Sequence, residues 1–230
     1  MRGVAHRVEL DGVGLAYDEY GSAGAPLVLL HALGENRLDW PEIADRLAQE
    51  FRVFAVDLRG HGDSDWPGTY SCRLMADDVA RLLDHLGVGA VTLLGHSLGG
   101  VVAYLLAERR PDLVTRLIVE DVSPPFHRVR PMPERPETEL DFDWAAALAL
   151  RSEAERYDED LWRRLSSISA RTLLIGGGPD SSVPAEMLEA VARRIPRCEL
   201  VEIPAGHYVH RGRPEEFLEV VLGWLARNPG

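Results

Sequence analysis

A chain of 230 residues with 46% hydrophobic and 27% charged residues holds enough apolar material for one sizeable α/β core and is too apolar for extended disorder. A formal net charge of -12 sets it against nucleic acid and anionic membrane surfaces, both of which would repel it. No run of about eighteen apolar residues is present to cross a bilayer, and residues 1–7 lack the apolar segment of a signal peptide.

The expectation is a cytosolic protein forming a single domain over residues 1–230, with a small-molecule substrate as its partner. Cys72 and Cys198 stand apart, so the reading is two buried structural thiols with neither a disulfide framework nor a metal cluster.

Along the chain, two strand-like segments near 4–10 and 15–20 are joined by Asp11-Gly12 and predict a hairpin. Apolar strands then alternate with amphipathic helices. Strands fall at 27–31, 53–56, 91–94, 117–119, 172–175 and 199–203, and helical periodicity falls at 37–48, 73–86, 98–109, 185–194 and 214–226. Such alternation predicts a mostly parallel sheet covered by helices on both faces.

The rhythm breaks at about 123–165, where five prolines up to Pro136 precede two short helical patches, one spanning 144–150. This predicts a short helical cap. Ten acidic and three basic residues between Glu134 and Asp160 place over half of the net charge there, as expected of a solvated face. Trp144, Leu148, Leu150 and Trp162 are candidates for an apolar lining contributed by the cap, or for packing between cap and core.

The chemistry centres on Gly95-His96-Ser97-Leu98-Gly99-Gly100, which follows a strand and opens a helix. A serine on so sharp a turn has a strained backbone, and small residues two positions either side let the chain fold back beneath it. The helix behind it aims free N–H groups and a positive dipole end at any oxyanion formed there. Ser97 is the candidate nucleophile, and a serine hydroxyl needs a neutral imidazole to take its proton.

His207, just after the last strand in Ala205-Gly206-His207, is the candidate base, with His210 as its neighbour and rival. His6, His61, His85 and His127 are read as structural. His96 is held beside the nucleophile and is expected to pack rather than react; with His31 and Ala32 it is assigned to the substrate pocket, together with Trp144 and Leu148 from the cap.

The third group should be a carboxylate at the same sheet edge. Asp180 is the first choice, carried toward His207 by Gly176-Gly177-Gly178-Pro179, and Asp121, at the end of the preceding strand, is the competitor. Oxyanion stabilisation is assigned to the backbone N–H groups of Leu33 and Leu98. Asp57-Leu58-Arg59-Gly60-His61-Gly62-Asp63-Ser64 reads as structural support, and Gly176-Gly177-Gly178 lacks the spacing of a dinucleotide loop.

With His31-Ala32-Leu33-Gly34, Asp57 to Ser64, Gly95 to Gly100, Asp180 with Val183-Pro184, and Gly206-His207 in this order, the chain resembles the α/β-hydrolase superfamily over most of its length outside the cap. The resemblance implies an eight-stranded, mostly parallel sheet, a nucleophile–acid–histidine triad, and catalysis without cofactor or metal. Ala32 stands where the family commonly has glycine. A serine nucleophile sets the chain apart from haloalkane dehalogenases and epoxide hydrolases, which look alike but use aspartate.

The expected activity is that of a carboxylesterase on a small or medium apolar ester. Cofactor-free perhydrolase or haloperoxidase, carbon–carbon bond hydrolase and lyase chemistries share the triad. A non-catalytic small-molecule receptor shares the fold.

Overall fold

The computed structural model describes residues 3–125, 133–156 and 158–229. Eight strands form one sheet: β1 (Val4–Leu10), β2 (Val13–Tyr20), β3 (Ala25–Leu30), β4 (Phe51–Val56), β5 (Val91–His96), β6 (Val114–Glu120), β7 (Arg171–Gly176) and β8 (Cys198–Glu202). Their order across the sheet is β1-β2-β4-β3-β5-β6-β7-β8. β1 and β2 form the expected hairpin, whose two turn residues, Asp11 (φ 49°) and Gly12 (φ 83°), are both left-handed, as a tight two-residue turn of matching twist requires. β2 also runs antiparallel to β4, and every pairing from β4 through β3, β5, β6 and β7 to β8 is parallel.

Because strands pointing the same way need crossovers, helices cover both faces. On one face lie α1 (Pro41–Leu47) and α7 (Pro214–Arg227), burying Ile43, Leu47, Phe217, Val221 and Trp224 against Leu27, Leu29 and Ile118. On the other lie α2 (Cys72–Leu86), α3 (Leu98–Arg109) and α6 (Ala185–Ala192), with Met75, Leu82, Val102, Leu106 and Leu188 against Val28, Leu30 and Val119. α2 starts where the Ser71 hydroxyl accepts from the Leu74 N–H at 3.2 Å and stops at Gly87 in the left-handed region. Each device satisfies backbone groups that a helix end leaves open. α3 is buried almost all round, so its sequence reads as continuously apolar rather than amphipathic.

Three expectations about elements need correction. The helix expected over 37–48 divides into a 3-10 turn, Arg37–Asp39, and α1, because Pro41 has no N–H to donate back and so begins a new helix. The strand expected at 117–119 runs from Val114 to Glu120, its polar Thr115 and Arg116 having masked the start. Cys198 is half-buried rather than buried.

Within 123–165 the described residues contain α4 (Trp144–Ala154) and α5 (Glu159–Arg164), capped by the carboxylates of Asp143 and Asp158. Leu150, Leu161 and Trp162 pack into the same apolar cluster as α2 and α3, and the Trp162 indole donates to the Pro125 carbonyl at 3.0 Å. His127, read from sequence as structural, and Pro131 of the proline-rich segment lie outside the described residues. Among the described residues no helix is long and apolar enough to cross a membrane.

Candidate active site

Parallel strands all present their carboxyl ends at one edge, and the site residues come from five strands that are consecutive in the sheet: Leu33 after β3, Ser97 after β5, Asp121 after β6, Ser181 after β7 and His207 after β8.

Ser97 has φ 50° and ψ -112°, a conformation that a non-glycine residue adopts only where its surroundings impose it. They do so here. A Cβ on Gly95 would lie 2.3 Å from the Gly99 carbonyl oxygen, and one on Gly99 would lie 2.3 Å from the Leu30 carbonyl oxygen. The glycines therefore let β5, α3 and β3 approach closely enough to hold the serine up on its turn.

The hydroxyl of Ser97 lies 3.0 Å from Nε2 of His207, and Nδ1 of His207 lies 2.7 Å from Oδ2 of Asp121. With Nδ1–H donating to the carboxylate, Nε2 carries the lone pair that faces the serine. Asp121 is fully buried and its backbone is left-handed (φ 47°). Its carboxylate accepts two further hydrogen bonds, from the Gly177 N–H at 2.7 Å on Oδ1 and from the Ser181 hydroxyl at 2.5 Å on Oδ2. A buried carboxylate with three donors is compensated for leaving water.

This geometry corrects the first choice of acid. Asp180 is exposed, and the position it was expected to fill beside Nδ1 is occupied by Asp121. The Gly176-Gly177-Gly178 turn has a different use. The N–H groups of Ala205 and Gly206 donate to the Gly177 carbonyl at 3.1 and 2.9 Å, so the turn docks the loop that carries His207. It also turns inward the hydroxyl of Ser181, a contact that nothing in the local sequence announced.

Leu33 and Leu98 line the same cavity as Ser97 and His207. Leu98 is the first residue of α3, where an N–H has no carbonyl within the helix to meet. The cavity, about 200 Å3, is walled mainly by apolar side chains, among them Val101, Val122, Pro124, Leu150 and Val183, with the Arg151–Glu155 ion pair (2.8 Å) as its charged part.

The pocket residues expected from sequence are placed differently. His31 is buried, accepts from the Leu58 N–H at 3.0 Å through Nε2, and donates through Nδ1 to the Ala32 carbonyl at 2.8 Å. Burial holds its pKa down at about 4, so it is a neutral structural side chain. Ala32 is buried beside it. His96 is also buried and donates from Nε2 to the His207 carbonyl at 2.7 Å, which keeps it behind the site rather than in the cavity. Trp144 and Leu148 are half-buried on α4 and are not among the cavity walls, whereas the buried Leu150 of that helix is. His210 faces Glu120 and Asp39, away from Ser97.

The Asp57–Ser64 segment is held by charge. Asp57 accepts from the Arg37 and Asp63 backbone N–H groups at 2.6 and 2.9 Å and pairs with the Arg37 guanidinium, while Arg59 pairs with buried Asp78. Burial drives the pKa of His61 down to about 3, and its Nδ1 meets the Arg59 carbonyl at 3.1 Å. Among the described residues, one trio of ligand-type side chains, Asp39, His96 and His210, has atoms within 4.8 Å of one another. There His210 Nε2 and Asp39 Oδ1 already satisfy each other at 3.1 Å.

Comparison with known proteins agrees with this architecture. The family model described as alpha/beta hydrolase fold matches residues 25–144, more than half of the chain. A soluble epoxide hydrolase of Corynebacterium sp. (strain C12) is 42% identical over 120 residues, covering 52% of this chain and 42% of that protein, so the chain spans less than half of that relative. An sn-1-specific diacylglycerol lipase of Mus musculus is 28% identical over 256 residues, covering 90% of this chain and 83% of that one. Among solved structures, a thermophilic esterase from Thermogutta terrifontis superposes with a TM-score of 0.80 at 28% identity, covering 97% of this chain and 99% of that chain. The chain belongs to the α/β-hydrolase family, and the three relatives just described carry the names of hydrolases.

Proposed function

We propose that the protein is a serine carboxylesterase acting on small esters with an apolar acyl group. The observation that carries this reading is the alignment of Ser97 Oγ, His207 and Asp121 at 3.0 and 2.7 Å. In the reaction, His207 Nε2 takes the Ser97 proton as Oγ attacks the ester carbonyl. The oxyanion is held by the Leu33 and Leu98 N–H groups, and His207 returns the proton to the leaving alcohol. A water molecule, deprotonated by the same imidazole, then cleaves the acyl-enzyme and restores Ser97. Asp121 keeps Nδ1 protonated and stabilises the imidazolium formed in each step.

The cavity supports the substrate class. Its walls are largely apolar, and about 200 Å3 is smaller than the roughly 300 to 1,000 Å3 typical of drug-sized ligands, which favours short over long acyl chains. Residue 97 is a serine, which has no carboxylate with which to form an alkyl-enzyme ester, so epoxide opening by that route is not supported despite the resemblance to an epoxide hydrolase.

The test is a series of p-nitrophenyl esters of increasing acyl length, followed by pre-steady-state release of p-nitrophenol. The expected result is a burst equal to the enzyme concentration, with kcat/KM highest for the shorter acyl groups. No turnover of any ester would overturn the proposal.

A further inference from the structure

Behind His207, outside the cavity, lies a second histidine between carboxylates that the triad does not use. Nδ1 of His210 is 2.9 and 2.8 Å from the two carboxylate oxygens of Glu120, its Nε2 is 3.1 Å from Asp39 Oδ1, and its backbone N–H donates to Glu120 Oε1 at 2.9 Å. All three side chains are at most 1% exposed. A carboxylate on each ring nitrogen requires a proton on each, so the imidazole is held as an imidazolium.

The three side chains belong to three of the five segments that build the site. Glu120 directly precedes Asp121. Asp39 lies on the stretch that follows Leu33, and His210 is one turn beyond His207. Arg211 pairs with Asp39 and with Glu35, whose Oε1 accepts from the Tyr208 hydroxyl at 3.3 Å. From β5, His96 donates to the His207 carbonyl and sets its ring edge-on to His210 at 5.2 Å.

We propose that His210 is a positioning residue: held as a cation between Glu120 and Asp39, it ties the His207 loop to the strand end carrying Asp121 and to the loop carrying Leu33, so that the site stays assembled only while His210 is charged.

The groups facing His210 are Glu120 from β6, His96 from β5, Asp39 from the 3-10 turn, and Tyr208 and Arg211 from its own segment, with the uncharged rings of Trp40 and Phe217 packed on it. Burial works against its charge, but Glu120 and Asp39 outweigh burial and hold its pKa up at about 9. Burial keeps the ring of His96 uncharged by lowering its pKa. Loss of the proton from His210 to solvent would leave buried Glu120 without its cationic partner and Asp39 with Arg211 alone, so the carboxylates no longer hold the loops together.

This inference rests on the ester-hydrolase reading, and its test is the pH dependence of kcat and KM for p-nitrophenyl acetate, with circular dichroism at each pH. The wild type should lose kcat reversibly as pH rises through about 9, with its helical signal intact. Asp39→Asn removes one of the two carboxylates, so the alkaline fall should move down by about one pH unit while KM stays within about two-fold. His210→Gln should lower kcat by about 10- to 100-fold across the range and abolish the alkaline fall.

A profile of Asp39→Asn that superimposes on that of an active wild type overturns the positioning role alone. A loss of kcat in Asp39→Asn that only follows loss of helical signal does the same. A wild type without ester turnover overturns the hydrolase reading and this inference together.

Discussion

A Cβ placed on Gly177 would lie 1.9 Å from the carbonyl oxygen of Gly206, so the turn after β7 and the loop carrying His207 touch backbone to backbone. A methyl group at residue 177 must push that loop away, and with it the imidazole. Since a displacement of about 1 Å costs about 100-fold in rate, Gly177→Ala should lower kcat by about that factor or more. Steady-state kinetics beside a thermal melt checks this: the loss of rate should exceed anything explained by unfolded protein.

The buried carboxylate at residue 121, and not the exposed one at 180, should be the acid on which the rate depends. Asp121→Asn leaves the shape but no longer fixes the proton on Nδ1 of His207, and by analogy with other triads kcat should fall by about 10⁴-fold. Asp180→Asn should stay within about two-fold of wild type, because its side chain is exposed and Nδ1 of the imidazole is taken by Asp121. Measuring both variants on one ester is sufficient.

Ser181 donates to the Asp121 oxygen that also meets His207, and its own Oγ accepts from the Val183 N–H at 2.9 Å. Ser181→Ala should therefore loosen the acid without removing it. A hydrogen bond to a charged group contributes about 1.5 to 3 kcal/mol, so a loss of about 10- to 100-fold in kcat is expected, with KM little changed.

Stability should fall on the alkaline side. The folded pKa of His210 is raised from the ordinary 6.5 to about 9 by Glu120 and Asp39 acting against burial. Its contribution is fully present below about 6.5 and is lost as pH rises through about 9. Thermal melts should show Tm declining over that window by roughly 2 to 4 °C for each kcal/mol lost. In His210→Gln this part of the decline should be absent.

Much of the architecture was legible because it depends on local pattern. The strand periodicities, the left-handed Asp11-Gly12 turn and the glycines around Ser97 are all set by neighbours a few residues away, and each recurs in the structure. The choice between Asp121 and Asp180 was not of that kind. Both follow strands that end at the same edge, and what decides between them is the direction of one turn: Asp121 takes a left-handed backbone that sends its carboxylate under His207, while the turn after β7 sends Ser181, not Asp180, inward.

The pocket expectation failed for a similar reason. His31 and His96 adjoin Leu33 and Ser97 in sequence, yet both are fully buried and held by backbone partners from distant segments, His31 by the Leu58 N–H and His96 by the His207 carbonyl. The link from His210 to Glu120 joins residues 90 positions apart, and no local signal marks it.

A Ser97 nucleophile activated by His207 and Asp121 reacts with a fluorophosphonate, and the adduct is read by intact mass and peptide mapping. One adduct per chain on the peptide containing Ser97, absent from Ser97→Ala and formed much more slowly in Asp121→Asn, is the predicted result. A wild-type protein that takes up no label, or an adduct on any other residue, would rule out Ser97 as the nucleophile.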